Sequence, residues 1–209
     1  MNKIDYLNDI SEIKTLMNRS SKFISLSGLS GILAGCFALI GASFAYWLVS
    51  DQIGTGFLIL DYDTFLLLLL DLVLVTLLSV GSAIYLTTKK AKKNNQKIWD
   101  SLTRRLLFNF LVPLLAGGVY TLIILMQEKY GQTAALMLLF YGLALFNASK
   151  YTIGDIKYLG IIQIILGLLC ALVPKYGFWF WVLGFGVMHI IYGSIMFYKY
   201  DKKPNKNQI

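Results

Sequence analysis

The sequence predicts an all-α, polytopic membrane protein with six transmembrane helices. Of its 209 residues, 57% are hydrophobic, the apolar residues fall in separate long runs, and the basic residues lie almost entirely between those runs. A helix rises about 1.5 Å per residue, so about 20 apolar residues cross the hydrocarbon core. The predicted spans are 25–49, 65–88, 105–126, 133–148, 157–174 and 178–198. They form a bundle over residues 23–200, and the short fourth span is expected either to extend into its flanks or to be sheltered by its neighbours.

The segment before the first span, residues 1–22, predicts an amphipathic helix. Its apolar residues recur at helical spacing among charged ones. They are Ile4, Leu7, Ile10, Ile13 and Met17. Three acidic residues in this segment argue against a cleavable signal peptide. The helix is expected to lie on the inner membrane surface or to pack under the bundle, or else to bind a partner.

The orientation follows from the distribution of Lys and Arg. All but two of the 19 basic residues lie in the N-terminus, the second and fourth loops and the tail, and the exceptions are Lys129 and Lys175. The positive-inside rule therefore predicts that both termini are cytoplasmic. The basic 89–105 loop is expected to contact anionic lipid headgroups, and residues 201–209 form a basic cytoplasmic tail.

The net charge of +8 does not indicate a nucleic-acid partner, because membrane topology explains where the basic residues lie. Cys36 and Cys170 fall inside apolar runs without metal-ligand spacing and are expected to be buried small hydrophobes. One histidine and one intramembrane acid predict no metal centre. No cofactor motif is present, and the number of subunits stays open, with a homo-oligomer as one alternative.

Small residues predict close helix packing in the first and sixth spans. Gly31 and Gly35 lie on one face of the first span, and Gly186 and Gly193 lie in the sixth. Small side chains let helix backbones approach closely in lipid, where the hydrophobic effect does not drive association.

The third span contains a predicted helix break. Pro113 cannot donate a backbone hydrogen bond to the carbonyl of Asn109, and Gly117 and Gly118 follow one turn later. This combination predicts either a coordination point for a substrate or ion, or a plain kink whose free carbonyl a neighbour satisfies.

The candidate functional residues are the polar side chains within the spans. Asp71 lies in the leucine-rich second span, and its helical neighbours predict that it points into the bundle. His189 lies at the middle of the sixth span. Both are candidate protonatable pathway residues, because ionisable groups in a membrane are costly. Gln163 of the fifth span joins Asn109 as a candidate coordinating residue. Interhelical hydrogen bonding is the structural alternative for all four.

Two functions fit these residues. The first is transport or conduction of protons, an ion or a small polar solute through a polar bundle interior. The alternative is a non-transporting sensor or scaffold that presents residues 1–22 and the basic loop to a cytoplasmic protein.

An enzyme is not expected. GLSG at 28–31 resembles a rhomboid protease motif, with Ser30 as nucleophile and His189 as base. This intramembrane serine protease is a remote third alternative, because the two residues are predicted to differ in depth by about 7 Å. An aspartyl protease would need two facing carboxylates, and only Asp71 lies within a span.

Three stretches, RSSKFISLSGLSGILAG, FYGLALFNASKYTIGDIKYLG and GFGVMHIIYGSIMFYKY, together resemble a group of uncharacterised six-span bacterial inner-membrane proteins. The resemblance implies the fold and a bacterial inner-membrane location, with no established activity. It also draws attention to the fourth loop with its flanks, where Asn147, Lys150, Asp155 and Lys157 are expected to form salt bridges or a partner contact.

Overall fold

The computed structural model describes residues 26–53, 60–93 and 98–202, and these residues are almost entirely helical. Six helices follow one another along the chain: α1 (Gly28–Val49), α2 (Tyr62–Lys93), α3 (Ser101–Met126), α4 (Thr133–Ala148), α5 (Ile156–Leu172) and α6 (Pro174–Lys202). The predicted amphipathic helix at 1–22, residues 94–97 of the basic loop and residues 203–209 of the tail lie outside the described residues.

The lengths of these helices are consistent with an integral membrane protein. Five of them are long and apolar enough to cross a membrane, whereas α5, with 17 residues, is shorter. The bounds of α4 coincide with the predicted 133–148, and 3₁₀ turns at Tyr130–Gln132 and Ser149–Tyr151 extend the helical segment to 22 residues. The expected extension of the fourth span into its flanks is therefore present.

Polar residues set the ends of α2 and α3. Asp61 accepts a hydrogen bond from the backbone N–H of Thr64 at 3.2 Å just where α2 begins. The Asp100 side chain caps α3 by accepting from Thr103 N–H at 2.7 Å, and this bond lowers the pKa of Asp100. Helix α2 runs beyond the predicted 65–88, because hydropathy marks only its apolar part, whereas capping and terminal charges favour further helical turns.

Helix α1 packs between α2 and α6. A methyl group built on Gly35 would lie 2.7 Å from the Gly186 carbonyl oxygen, and one on Gly31 would lie 3.1 Å from Gly193 Cα. The backbones of α1 and α6 therefore touch along this face, which a larger side chain would block. The outer surfaces of α2 and α3 carry exposed leucine, isoleucine and valine side chains, as lipid-facing helices do.

Helix α4 packs between α3 and α5. Gly160 of α5 faces the backbone of Phe146 and Gly142, and Gly167 faces that of Leu139 and Ala135. Residue numbers rise along α5 as they fall along α4, so the two helices are antiparallel. Helix α6 contacts both α4 and α5 and joins the α1–α2 pair to the α3–α4–α5 group.

One end of the bundle brings together the start of α1 and the ends of α2 and α6. Asp201 of α6 accepts from the Gly28 N–H of α1 at 3.0 Å and forms an ion pair with Lys90 of α2 at 2.5 Å. At the same end, Asp155 pairs with Lys199 at 2.6 Å. The first and last described helical ends therefore lie on the same side of the bundle.

Two π-helical stretches interrupt α6, at Val182–Met188 and Phe197–Lys202. A π-helical turn leaves backbone groups less regularly paired and often occurs at functional sites. The first stretch contains Gly184 and Gly186 and ends immediately before His189.

Candidate functional site

A cavity of about 290 Å³ lies between α1, α2, α4 and α6 in the half of the bundle opposite Asp201. We call it the Asp71 cavity. Its lining includes one carboxylate, Asp71, one ammonium, Lys175, and one phenol, Tyr130. Apolar walls come from Ala42, Ala45, Val49, Leu68, Leu72 and Met137, and aromatic rings come from Phe178 and Trp181.

The Asp71 carboxylate faces α1. A methyl group built on Gly41 would lie 3.1 Å from Oδ2 and 3.2 Å from Oδ1 of Asp71. The glycine thus makes room for the acid between two helices. Asp71 is half-buried, and among the described residues no side chain or backbone group donates a hydrogen bond to its carboxylate. An acid so placed can exchange a proton or bind a cation.

Lys175 and Asp71 do not form an ion pair. The Lys175 ammonium lies 4.8 Å from the centroid of the Tyr176 ring, and the ion pairs among the described residues do not include it.

Nearby rings form an aromatic rim, because Tyr46 contacts both Phe178 and Trp179 at centroid distances of 6.0 and 6.1 Å. The rim resembles the aromatic belts that mark membrane interfaces.

His189 lies deeper in the bundle, with both ring nitrogens occupied by protein groups. Nε2 lies 2.8 Å from the Tyr141 hydroxyl and Nδ1 lies 2.9 Å from the Gly184 carbonyl oxygen. A carbonyl can only accept, so Nδ1 carries the proton and the Tyr141 hydroxyl donates to Nε2. The imidazole is therefore held in one tautomer.

Gln163 shares the Gly184 carbonyl with His189. Its Nε2 donates to that oxygen at 2.8 Å, and its side chain is fully buried. Its Oε1 has no hydrogen-bond partner among the described residues. The structure thus joins Gln163, Gly184, His189 and Tyr141 in one network across α4, α5 and α6.

A column of rings connects this network with the Asp71 cavity. Trp181, which lines the cavity, contacts Phe185 at a centroid distance of 5.2 Å, and Phe185 stacks on His189 at 6.0 Å. Tyr141 closes the column, stacked on His189 at 5.4 Å. Asp71 and His189 therefore lie at opposite ends of an apolar aromatic column and share no hydrogen bond.

Asn109 lies apart from this network. Its side chain donates to the Arg105 carbonyl at 2.8 Å, within α3. Pro113 has no backbone N–H to donate to the Asn109 carbonyl. That carbonyl instead accepts a hydrogen bond from the Asn147 side chain of α4 at 3.2 Å. Helix α3 is continuous from Ser101 to Met126 through Pro113, and a neighbouring amide occupies the carbonyl that the proline leaves free.

The two residues of the protease alternative are not joined. The Ser30 hydroxyl donates to the Ser27 carbonyl at 2.6 Å, while Tyr141 and Gly184 hold the ring of His189. A serine nucleophile needs its base within hydrogen-bond reach, and this arrangement lacks that contact.

Trp181, Phe185 and Tyr141 were not recognised as site residues from the sequence, and neither was the pairing of Asn147 with Asn109. Trp181, Phe185 and His189 recur every fourth residue, so their shared helix face was readable as an aromatic stripe. Tyr141 is the only residue with a hydroxyl group between Thr133 and Ser149, which marks it as a possible partner for a buried imidazole. Asn147 gave no comparable signal, because its pairing with Asn109 depends on the lateral order of α3 and α4.

Comparison with protein-family models, with curated proteins and with solved structures gave no match.

Proposed function

We propose that this protein is an integral membrane carrier or channel that binds a proton, an ion or a small polar solute in the Asp71 cavity. The observation that carries the proposal is a carboxylate within an apolar helix that borders a cavity and receives no hydrogen bond from the described protein. A carboxylate within a membrane span ordinarily has a polar or charged partner, because an unpaired one is costly there. A bound solute or proton supplies the missing partner.

The proposed topology has six crossings with both termini in the cytoplasm of a bacterial inner membrane. We count the short helix α5 as a membrane crossing because it runs antiparallel along most of α4. Gly160 and Gly167 of α5 lie against the backbone of α4. Contact of Gly28 with Asp201 supports an even number of crossings. The basic loops favour the inside for that end. The Asp71 cavity then opens toward the outer side.

Passage beyond the cavity requires the aromatic column to move. Trp181 and Phe185 separate Asp71 from His189, so this conformation is closed on the inner side. The glycines of the first π-helical stretch, Gly184 and Gly186, give α6 a site at which its ring-bearing face can shift. His189 and Gln163 would meet the solute only after such a shift.

Flux measurements in proteoliposomes test the proposal. Proton flux is followed with a trapped pH-sensitive dye, and cation flux with potassium and sodium gradients. Asp71→Asn is expected to abolish the flux that the wild-type protein carries, because it removes the charge and keeps the side-chain size. Asp63→Asn, an exposed acid in the first turn of the same helix, is the matched control. Equal flux in wild type and Asp71→Asn would overturn the proposal.

Both ring nitrogens of His189 are hydrogen-bonded to protein groups. This observation favours a second candidate function, a membrane sensor or scaffold that does not transport. Tyr141 and Gly184 hold His189 as a structural histidine would be held. Residues 1–22 and the basic loop would then present a surface to a cytoplasmic protein. The discriminating measurement is a pull-down from membranes with and without residues 1–22, carried out on protein that shows no flux.

A further inference from the structure

We propose that the Asp71 cavity binds a small organic cation of the quaternary ammonium class, with the cationic head at Asp71 and the hydrocarbon groups against the rings of Trp181 and Phe178. The inference rests on the proposed function and names the class of its solute. Four properties of the cavity carry it: its charge, its rings, its size and its lack of metal ligands.

The Asp71 carboxylate favours a cation in its part of the cavity. Asp71 is its single carboxylate, and Lys175, its single ammonium, lies over the Tyr176 ring without an ion pair to Asp71. An ionised carboxylate in an apolar surrounding is stabilised by an opposite charge placed beside it. A cationic ligand supplies that charge, whereas an anion would add a second negative charge next to Asp71.

The rings select an organic cation. Trp181, Phe178 and Tyr130 all line the cavity. Faces of aromatic rings attract ammonium groups within about 6 Å, and aromatic cages are a common way to bind quaternary ammonium ligands. The apolar side chains of α1 and α2, such as Ala45 and Leu72, provide contact for alkyl groups.

The composition of the cavity argues against calcium or magnesium. Calcium takes about 6–8 oxygen ligands, and magnesium requires near-octahedral geometry. Asp71 is the one carboxylate available, and no group of three or more His, Cys, Asp or Glu residues occurs in the part of the chain that the structure describes. A weakly hydrated organic cation needs only one carboxylate and an apolar wall.

The size of the cavity limits the ligand. Its volume of about 290 Å³ lies just below the roughly 300–1,000 Å³ of small-molecule sites. The site therefore suits a single small ammonium compound, and a long-chain amphiphile would extend past its mouth.

Calorimetric titration of the purified full-length protein in detergent tests the inference. The probes are choline and benzyltrimethylammonium, and the neutral isostere 3,3-dimethylbutan-1-ol is the matched ligand control. Both cations are expected to bind, and the neutral alcohol is not. Asp71→Asn is expected to weaken cation binding at least tenfold, whereas Asp63→Asn leaves it unchanged.

Variants of Trp181 test the role of the rings. Trp181→Leu is expected to weaken benzyltrimethylammonium binding several-fold, and Trp181→Phe, which keeps a ring, is expected to retain most of it. Trp99→Leu, an exposed tryptophan at the opposite end of the bundle, is the control. Size-exclusion profiles exclude unfolded variants from the comparison.

The outcomes separate this inference from the proposed function. Equal binding of the neutral isostere, or cation binding unchanged in Asp71→Asn, overturns the inference. Flux that depends on Asp71 without ammonium binding also overturns it and leaves the proposed transport intact. Ammonium binding that depends on Asp71 without any flux supports the ligand class and overturns transport in favour of a sensor.

Discussion

The Asp201 carboxylate, near the end of α6, accepts a hydrogen bond from the backbone N–H of Gly28, the first residue of α1, at 3.0 Å. Helix α1 has no acidic residue in its first turn, and the Ser27 side chain makes no capping bond. The last helix therefore supplies the capping acid that the first helix lacks. Lys90 of α2 binds the same carboxylate and also donates to the Leu26 carbonyl at 2.9 Å.

Loss of the Lys90 side chain is expected to destabilise the protein. Lys90→Ala removes the ion pair and leaves the largely buried Asp201 with fewer donors, so we expect a loss of about 1–3 kcal/mol, as for other hydrogen bonds to charged groups. Thermal unfolding of the detergent-solubilised protein measures the change.

Lys92→Ala is the control, because Lys92 is exposed in the same terminal turn of α2. A melting temperature for Lys90→Ala equal to that of Lys92→Ala would show that the contact among the three helices contributes nothing to stability.

The sequence was sufficient to predict a bundle of apolar helices and insufficient to predict contacts such as this one. Apolar runs report where the chain meets hydrocarbon, which is a property of each segment alone. The last apolar run ends near 198 and so predicts that Asp201 belongs to the tail, yet α6 continues to Lys202. Its pairing with Gly28 depends on the neighbours of α6, which hydropathy does not encode.

The same limit applies to the candidate site. Asp71 and His189 could be recognised from the cost of polar groups in lipid, and their relative depth follows from helical rise. Whether Asp71 and His189 lie next to each other within the bundle could not be predicted from the sequence. It depends on the rotation of each helix about its axis and on rings from a third helix. Tyr141 and Trp181 decide that relation in the structure.

The adjacent glycines of α3 are expected to respond to alanine with opposite signs. A methyl group on Gly117 overlaps the Phe140 side chain, whereas nothing lies within 4 Å of one on Gly118. Gly117→Ala should lower stability by about 1–3 kcal/mol through overpacking. Gly118→Ala should raise it by up to about 1 kcal/mol, because alanine favours helix.

Thermal unfolding of the two variants, prepared in parallel, measures the difference. Each serves as the control for the other, since both carry the same substitution in the same helical turn. Equal melting temperatures would contradict the packing of α3 on α4 at Phe140.

Removal of the Tyr141 hydroxyl is expected to destabilise the bundle. Tyr141→Phe keeps the ring stacked on His189 and leaves Nε2 of that histidine without its donor. An unsatisfied buried acceptor costs about 1–3 kcal/mol. Chemical or thermal unfolding in detergent measures the loss. Tyr120→Phe, at an exposed position in α3, should change little, and equal effects of the two variants would mean that Nε2 is hydrated.

The ion pair at Asp155 is expected to make stability depend on acidic pH. Burial alone would raise the pKa of Asp155, but hydrogen bonds from Lys199 at 2.6 Å and Tyr200 at 2.9 Å outweigh it, so the pKa lies below its ordinary value of 3.8. A carboxyl group with a depressed folded pKa stabilises the fold above its unfolded pKa, and the contribution is lost as the pH falls through the folded pKa.

Asp155→Asn should therefore melt at a lower temperature than wild type at neutral pH, and the two melting curves should converge as the pH falls below about 4. The Lys199 side chain is 55% exposed, so added salt should also reduce the difference. Asp51→Asn, an exposed acid at the opposite end of the bundle, controls for general charge effects. A difference between wild type and Asp155→Asn that stays constant from neutral to acidic pH would show that the carboxylate charge is not what stabilises this contact.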